Sequence, residues 1–210
     1  MRKLIITIAS LILLAILGLA GITFLRNGNP RSKVISPSGS TIVIEEMSYY
    51  IGGEKVFGKV FKPAGEDGSF DGSAGSLPAF IFLHEPLKTD WPESVVKSLV
   101  PSGIIGYTNG FRGSVKDIVK LVNRVGKEKF IQQEMIFLAC DASCCDETML
   151  AVEKLGHKIQ GLILVEPRMT GKASELYQRY GKEFLTIDAS QKGNAVSLIE
   201  GYLEERGALK

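Results

Sequence analysis

The sequence predicts an α/β domain built on a mostly parallel sheet, and three observations carry that prediction. First, apolar runs of four to six residues recur at 79–83, 103–107, 135–140, 160–165 and 184–187. Second, segments of helical character separate or follow them, at 92–100, 114–127, 143–155, 173–180 and 194–206. Runs this apolar suit strands covered by helices on both faces, because a strand with one wet face alternates apolar and polar residues. Third, two strand-like stretches, 41–50 and 55–62, precede the series and meet at Gly52-Gly53, which predicts an antiparallel hairpin at its start. The whole is a sheet of about seven strands flanked by helices in three layers.

The chain opens differently. Residues 4–25 are 22 uncharged residues, preceded by Arg2 and Lys3 and stopped by Arg26. At about 1.5 Å rise per residue such a helix spans roughly 30 Å, the thickness of a bilayer core. A buried core helix would show a polar face, and this stretch has none. We therefore expect a transmembrane signal anchor over residues 1–25. A cleaved signal peptide ending near Gly18-Leu19-Ala20 is the alternative. Residues 26–40, rich in Asn, Gly, Pro and Ser, follow as a linker, and 41–210 as the folded domain. The expected location is a single-pass membrane protein whose domain lies outside the cytoplasm, held to the membrane through residues 4–25.

Charge excludes one class of partner. Of 25 basic and 23 acidic residues, Arg2 and Lys3 supply the whole formal excess of +2, so the remainder is neutral. A surface for nucleic acid needs a cationic excess that phosphates can attract, and none is present. The long loop at 63–78 is rich in Gly, Ser and acidic residues and selects no ligand.

In parallel sheets ligands collect at the C-terminal strand ends. Those ends carry Leu83-His84-Glu85-Pro86, then Tyr107-Thr108-Asn109-Gly110-Phe111-Arg112-Gly113, then Cys140-Asp141-Ala142-Ser143-Cys144-Cys145 leading into a helix. This order resembles the α/β-hydrolase superfamily, in its compact members without a large lid, over roughly residues 41–192. The resemblance implies a His-Gly pair after the third strand and a G-x-S-x-G-G nucleophile elbow after the fifth. An acid would follow the seventh strand and a histidine the eighth.

The departures fall on the chemistry. Aligned on the elbow, Cys140 takes the first glycine, Ala142 the nucleophile, and Cys144 and Cys145 the last two glycines. Alanine offers no nucleophile. A register shifted by one offers Ser143, although Ser143 with Asp146 also forms a capping-box pattern for the following helix. Only His84 and His157 exist, and no histidine follows Ile187. His84 stands where the resemblance implies a structural residue of the oxyanion loop. Asp188 comes three or four residues early for the acid, with Glu166 as a substitute, and Pro86 has no N–H for an oxyanion hole. The resemblance implies a further strand and helix at the end, and we expect the residues after Ile187 to lack them.

The expectation is a membrane-tethered α/β-hydrolase-like protein without standard triad catalysis, acting as a binding or scaffold domain for a small-molecule or protein ligand. Two alternatives stay open. One is an active esterase or peptidase using Ser143 or Cys144 as nucleophile, His84 as base, and Glu166 or Asp188 as acid. The other is a thiol-redox or metal-binding module built on Cys140, Cys144 and Cys145. The first reading calls for no cofactor and no metal, and takes the cysteines as small buried replacements for elbow glycines.

Overall fold

A computed structural model describes residues 41–51, 54–70, 72, 75–111 and 114–209. The expected anchor (1–25), the linker (26–40), Gly52-Gly53, Arg112 and Gly113 lie outside the described residues. Among the described residues no helix is long and apolar enough to cross a membrane.

Among the described residues seven strands form one sheet: β1 (Ile42–Ile51), β2 (Glu54–Pro63), β3 (Leu77–His84), β4 (Ile105–Gly110), β5 (Ile131–Cys140), β6 (Gly161–Val165) and β7 (Leu185–Ile187). Their order is β1-β2-β4-β3-β5-β6-β7. β1 and β2 pair antiparallel, β2 pairs antiparallel with β4, and every later pairing is parallel. The outer strands differ in length, with ten residues in β1 and three in β7.

Among the described residues five helices cover the sheet: α1 (Asp90–Leu99), α2 (Val115–Val125), α3 (Cys145–Leu155), α4 (Gly171–Tyr180) and α5 (Ala195–Glu205). In α2 the buried residues Ile118, Leu121, Val122 and Val125 recur at helical spacing, so one stripe meets the sheet and the rest meets water. α5 repeats the pattern with Ala195, Ile199 and Leu203. The central strands separate two cores. Leu83, Leu138 and Leu164 face α2, α3 and α4, while Phe80, Phe82 and Ile163 face α1 and α5. This is the predicted three-layer arrangement.

The expected strand at 103–107 begins later, at Ile105. Gly103 instead ends a turn after α1 with φ of 91°, a left-handed conformation that glycine adopts without cost. Gly106 answers a packing need. A Cβ there would stand 2.1 Å from Val96 Cγ1 on α1, so the close approach of α1 to β4 requires its absence.

Candidate functional site

The turn joining β5 to α3 occupies the elbow position. Asp141 is fixed to the end of β3 by a hydrogen bond from its N–H to the Leu83 carbonyl, 3.1 Å. Its carboxylate gathers the donors around it. Oδ1 accepts from the Ser143 N–H at 3.1 Å and from the Ser143 hydroxyl at 2.6 Å. Oδ2 accepts a longer bond, 3.4 Å, from the Glu85 N–H in the loop after β3. In a working elbow, the N–H after the nucleophile and an N–H from the loop after the third strand form the oxyanion hole. With Ala142 at the nucleophile position, the first of these is Ser143 N–H; in the loop after β3 Pro86 has no N–H to offer, and the donor just before it is Glu85 N–H. Here both donate to a carboxylate of the chain itself.

The backbone agrees. An elbow holds its nucleophile on a strained strand-to-helix turn. Neither Ala142 nor Ser143 has a positive φ. Among the described residues Glu166 alone does so without being glycine, at 49°. α3 starts at Cys145 with Cys144 as its N-cap residue, and no side chain caps it. The expected capping box from Ser143 therefore does not form, because the hydroxyl is already bound to Asp141.

The Asp141–Ser143 pairing is one case of a local rule. Asp-x-Ser occurs again at Asp67–Ser69 and Asp188–Ser190, and each aspartate accepts both the N–H and the hydroxyl of the serine two residues on. Such turns arise wherever a short acidic side chain can reach the backbone just ahead of it. The same bonds, led by the Ser190 hydroxyl, hold the Asp188 carboxyl below its ordinary range. Asp188 also accepts from the Gln191 N–H at 3.0 Å.

Of the other candidates Glu166 shares the cleft of Ser143, while His84 and His157 lie apart from it. His84 ends β3, is 3% exposed, and bonds through Nδ1 to the Glu85 carbonyl at 2.8 Å. It opens on a groove beside Thr108 and Gly58, apart from the cleft that holds Ala142 and Ser143. His157 is exposed in a turn at the opposite end of the sheet, after α3. Glu166 accepts a 2.9 Å bond from Lys192, whose ammonium also lies 4.7 Å from the centre of the Trp91 ring. The cleft at the elbow, about 330 Å³, sets Lys88, Arg168 and Lys192 among Glu85, Asp141 and Glu166. Sequence reasoning missed Glu85, Asp141 and these cations as parts of one cleft. The repeated Asp-x-Ser spacing was the available signal for Asp141.

All three cysteines are buried. Cys140 and Cys145 bring their sulfurs to 2.7 Å, while Cys144 Sγ donates to the Leu83 carbonyl at 3.2 Å. Burial first, and the nearby Asp141 carboxylate second, push the Cys144 thiol far above its ordinary range, and burial raises Cys140 likewise. Among the described residues no group of three or more His, Cys, Asp or Glu is placed to hold a metal ion.

No protein-family model and no curated protein sequence matches the chain. Solved structures do. A cold-adapted esterase from an Arctic intertidal metagenomic library superposes with a TM-score of 0.59 at 13% identity, over 85% of this chain and 99% of that one. A Lactobacillus plantarum protein assigned as a carboxylesterase gives 0.59 at 10% identity, over 80% and 100%. A Bacteroides ovatus protein assigned as dipeptidyl aminopeptidase IV gives 0.51 at 16% identity, over 62% of this chain and 22% of that one. With the strand order and the turn after β5, these likenesses give the chain the α/β-hydrolase fold.

Proposed function

We propose that this protein is a membrane-tethered domain of α/β-hydrolase fold that performs no triad hydrolysis and acts by binding at its strand ends. One observation carries the reading: the Asp141 carboxylate takes the N–H groups of both Glu85 and Ser143. A tetrahedral intermediate would bring a second negative charge to donors that an anion already occupies, and like charges at that separation repel. Ala142 supplies no nucleophile, and the Ser143 hydroxyl donates to an acid rather than to a base. The tether rests on the 22 uncharged residues at 4–25.

Two experiments test this. A fluorophosphonate probe applied to the purified protein should leave Ser143 unlabelled, and covalent labelling of Ser143 overturns the reading. Fractionation of cells making the full chain should leave it in the membrane after an alkaline carbonate wash and release it with detergent. Recovery in the soluble fraction removes the tether.

A further inference from the structure

A groove larger than the one at the elbow stands elsewhere among the described residues. It lies on the other side of the loop after β3, encloses about 560 Å³, and is walled by Met47, Val56 and Phe57 of the β1–β2 ribbon and by Pro86 and Leu87 of that loop. Its volume is in the range of small-molecule sites. Leu87 is 92% exposed and Phe57 62%, so large apolar groups stand open at the rim.

His84 supplies the specificity. The chemistry described above leaves this imidazole unused, although it is almost fully buried where it meets the groove. Its Nδ1 is 2.8 Å from the Glu85 carbonyl oxygen. A carbonyl only accepts, so Nδ1 carries the proton, and in the neutral ring Nε2 is then an acceptor. Nε2 has no hydrogen-bond partner among the described residues. Nε2 is not one of the fully enclosed polar atoms without a partner, which are Tyr107 Oη and Asn109 Nδ2; it meets the open groove, where a ligand can bring a donor to it. The charged groups of the lining are Glu46, Glu93 and Lys59, with Lys59 already paired to Glu93 at 2.6 Å. Their balance disfavours an anion.

We infer that this groove binds a neutral, apolar small molecule carrying one hydroxyl, whose proton is donated to His84 Nε2. The site is separate from the elbow, so the inference stands whether or not Ser143 reacts with fluorophosphonate.

Three matched probes test it on the full chain: 2-naphthol, its methyl ether 2-methoxynaphthalene, and 2-naphthoate. The readout is the long-range ¹H–¹⁵N spectrum of the imidazoles, which holds two histidines, His84 and His157. 2-Naphthol should shift the His84 Nε2 resonance and leave His157 in place. The ether should bind up to about tenfold more weakly, the loss of one hydrogen bond, and the carboxylate more weakly still. Leu87→Asp should weaken naphthol and ether alike, and His84→Phe should erase the preference between them. Equal affinity for naphthol and its ether in the wild-type chain overturns the assignment without any variant. So does a shift confined to His157, or no shift at saturating probe.

Discussion

The Ser143 hydroxyl lies 2.6 Å from the Asp141 carboxylate, two residues back along the same turn. A serine held this way is a donor, whereas a nucleophilic serine donates to a base that will remove its proton. Asp141 organises the turn. Asp141→Ala should leave two amides and one hydroxyl without their acceptor and cost about 1–2 kcal/mol, or a melting temperature lower by roughly 2–8 °C. Asp141→Asn, which keeps an acceptor oxygen, should lose less. Thermal denaturation followed by circular dichroism decides it, and an unchanged midpoint in Asp141→Ala would show that the turn is held by other bonds.

The thiols should be silent in the native protein. With Cys144 buried and its thiol held far above the ordinary range, little thiolate forms at neutral pH. Reaction with 5,5′-dithiobis(2-nitrobenzoate) at pH 7.5 should run at least about 100-fold slower than with free cysteine. All three cysteines should titrate once the chain is unfolded in reductant. Rapid native labelling of Cys144 would return it to the list of nucleophiles.

Two carboxyls should give opposite pH signatures. Hydrogen bonds to Ser190 and Gln191 depress the Asp188 value, so its stabilisation is present above the unfolded-state value and vanishes as pH falls through the lower folded one. Asp188→Asn should therefore be less stable than wild type near pH 7 and converge with it in acid. Desolvation raises Glu128 despite Lys62 and Arg124 nearby. The relative stability it lends is complete below its unfolded-state value and is lost as pH rises through the folded one. Glu128→Gln should gain on wild type at neutral pH and match it in acid. Melting temperatures measured from pH 3 to 8 separate the pair, and parallel curves for variant and wild type would refute each assignment.

Gly106 should tolerate no side chain. Its missing Cβ lets α1 lie against β4, and Val96 Cγ1 would meet an added methyl at 2.1 Å. Val96 is β-branched and cannot swing aside freely. Gly106→Ala should cost about 1–3 kcal/mol, the range for overpacking, and Val96→Ala in the same chain should recover part of it. Failure of the second change to recover stability in denaturant titration would place the clash elsewhere.

Most of the fold was legible because its strands are apolar over their full inner length. Ala79 to Leu83 and Phe137 to Cys140 are at most 1% exposed, which is what an unbroken apolar run foretells. Ends were less legible: Gly103 reads as part of an apolar run but serves as a left-handed turn, which only the backbone reveals. At the candidate site Ala142 could be read directly, since a missing oxygen is a fact of sequence. The role of Asp141 could not, because it depends on the Glu85 N–H reaching it from 56 residues away. His84 was visible as a residue but not as an acceptor. Its tautomer follows from a carbonyl that the fold places beside Nδ1.

The unequal outer strands have a consequence for association. A strand of three residues offers little for another chain to pair with, so β7 closes its side of the sheet by brevity. Among the described residues β1 runs for ten residues and pairs on one side with β2 alone. Its guard is charge. Glu46 stands exposed at its middle, while Glu45 is paired to Lys62 at 2.8 Å, so a second copy docking edge to edge about that point would bring two Glu46 side chains together. Like charge at the centre of β1 therefore works against edge-to-edge pairing of two copies.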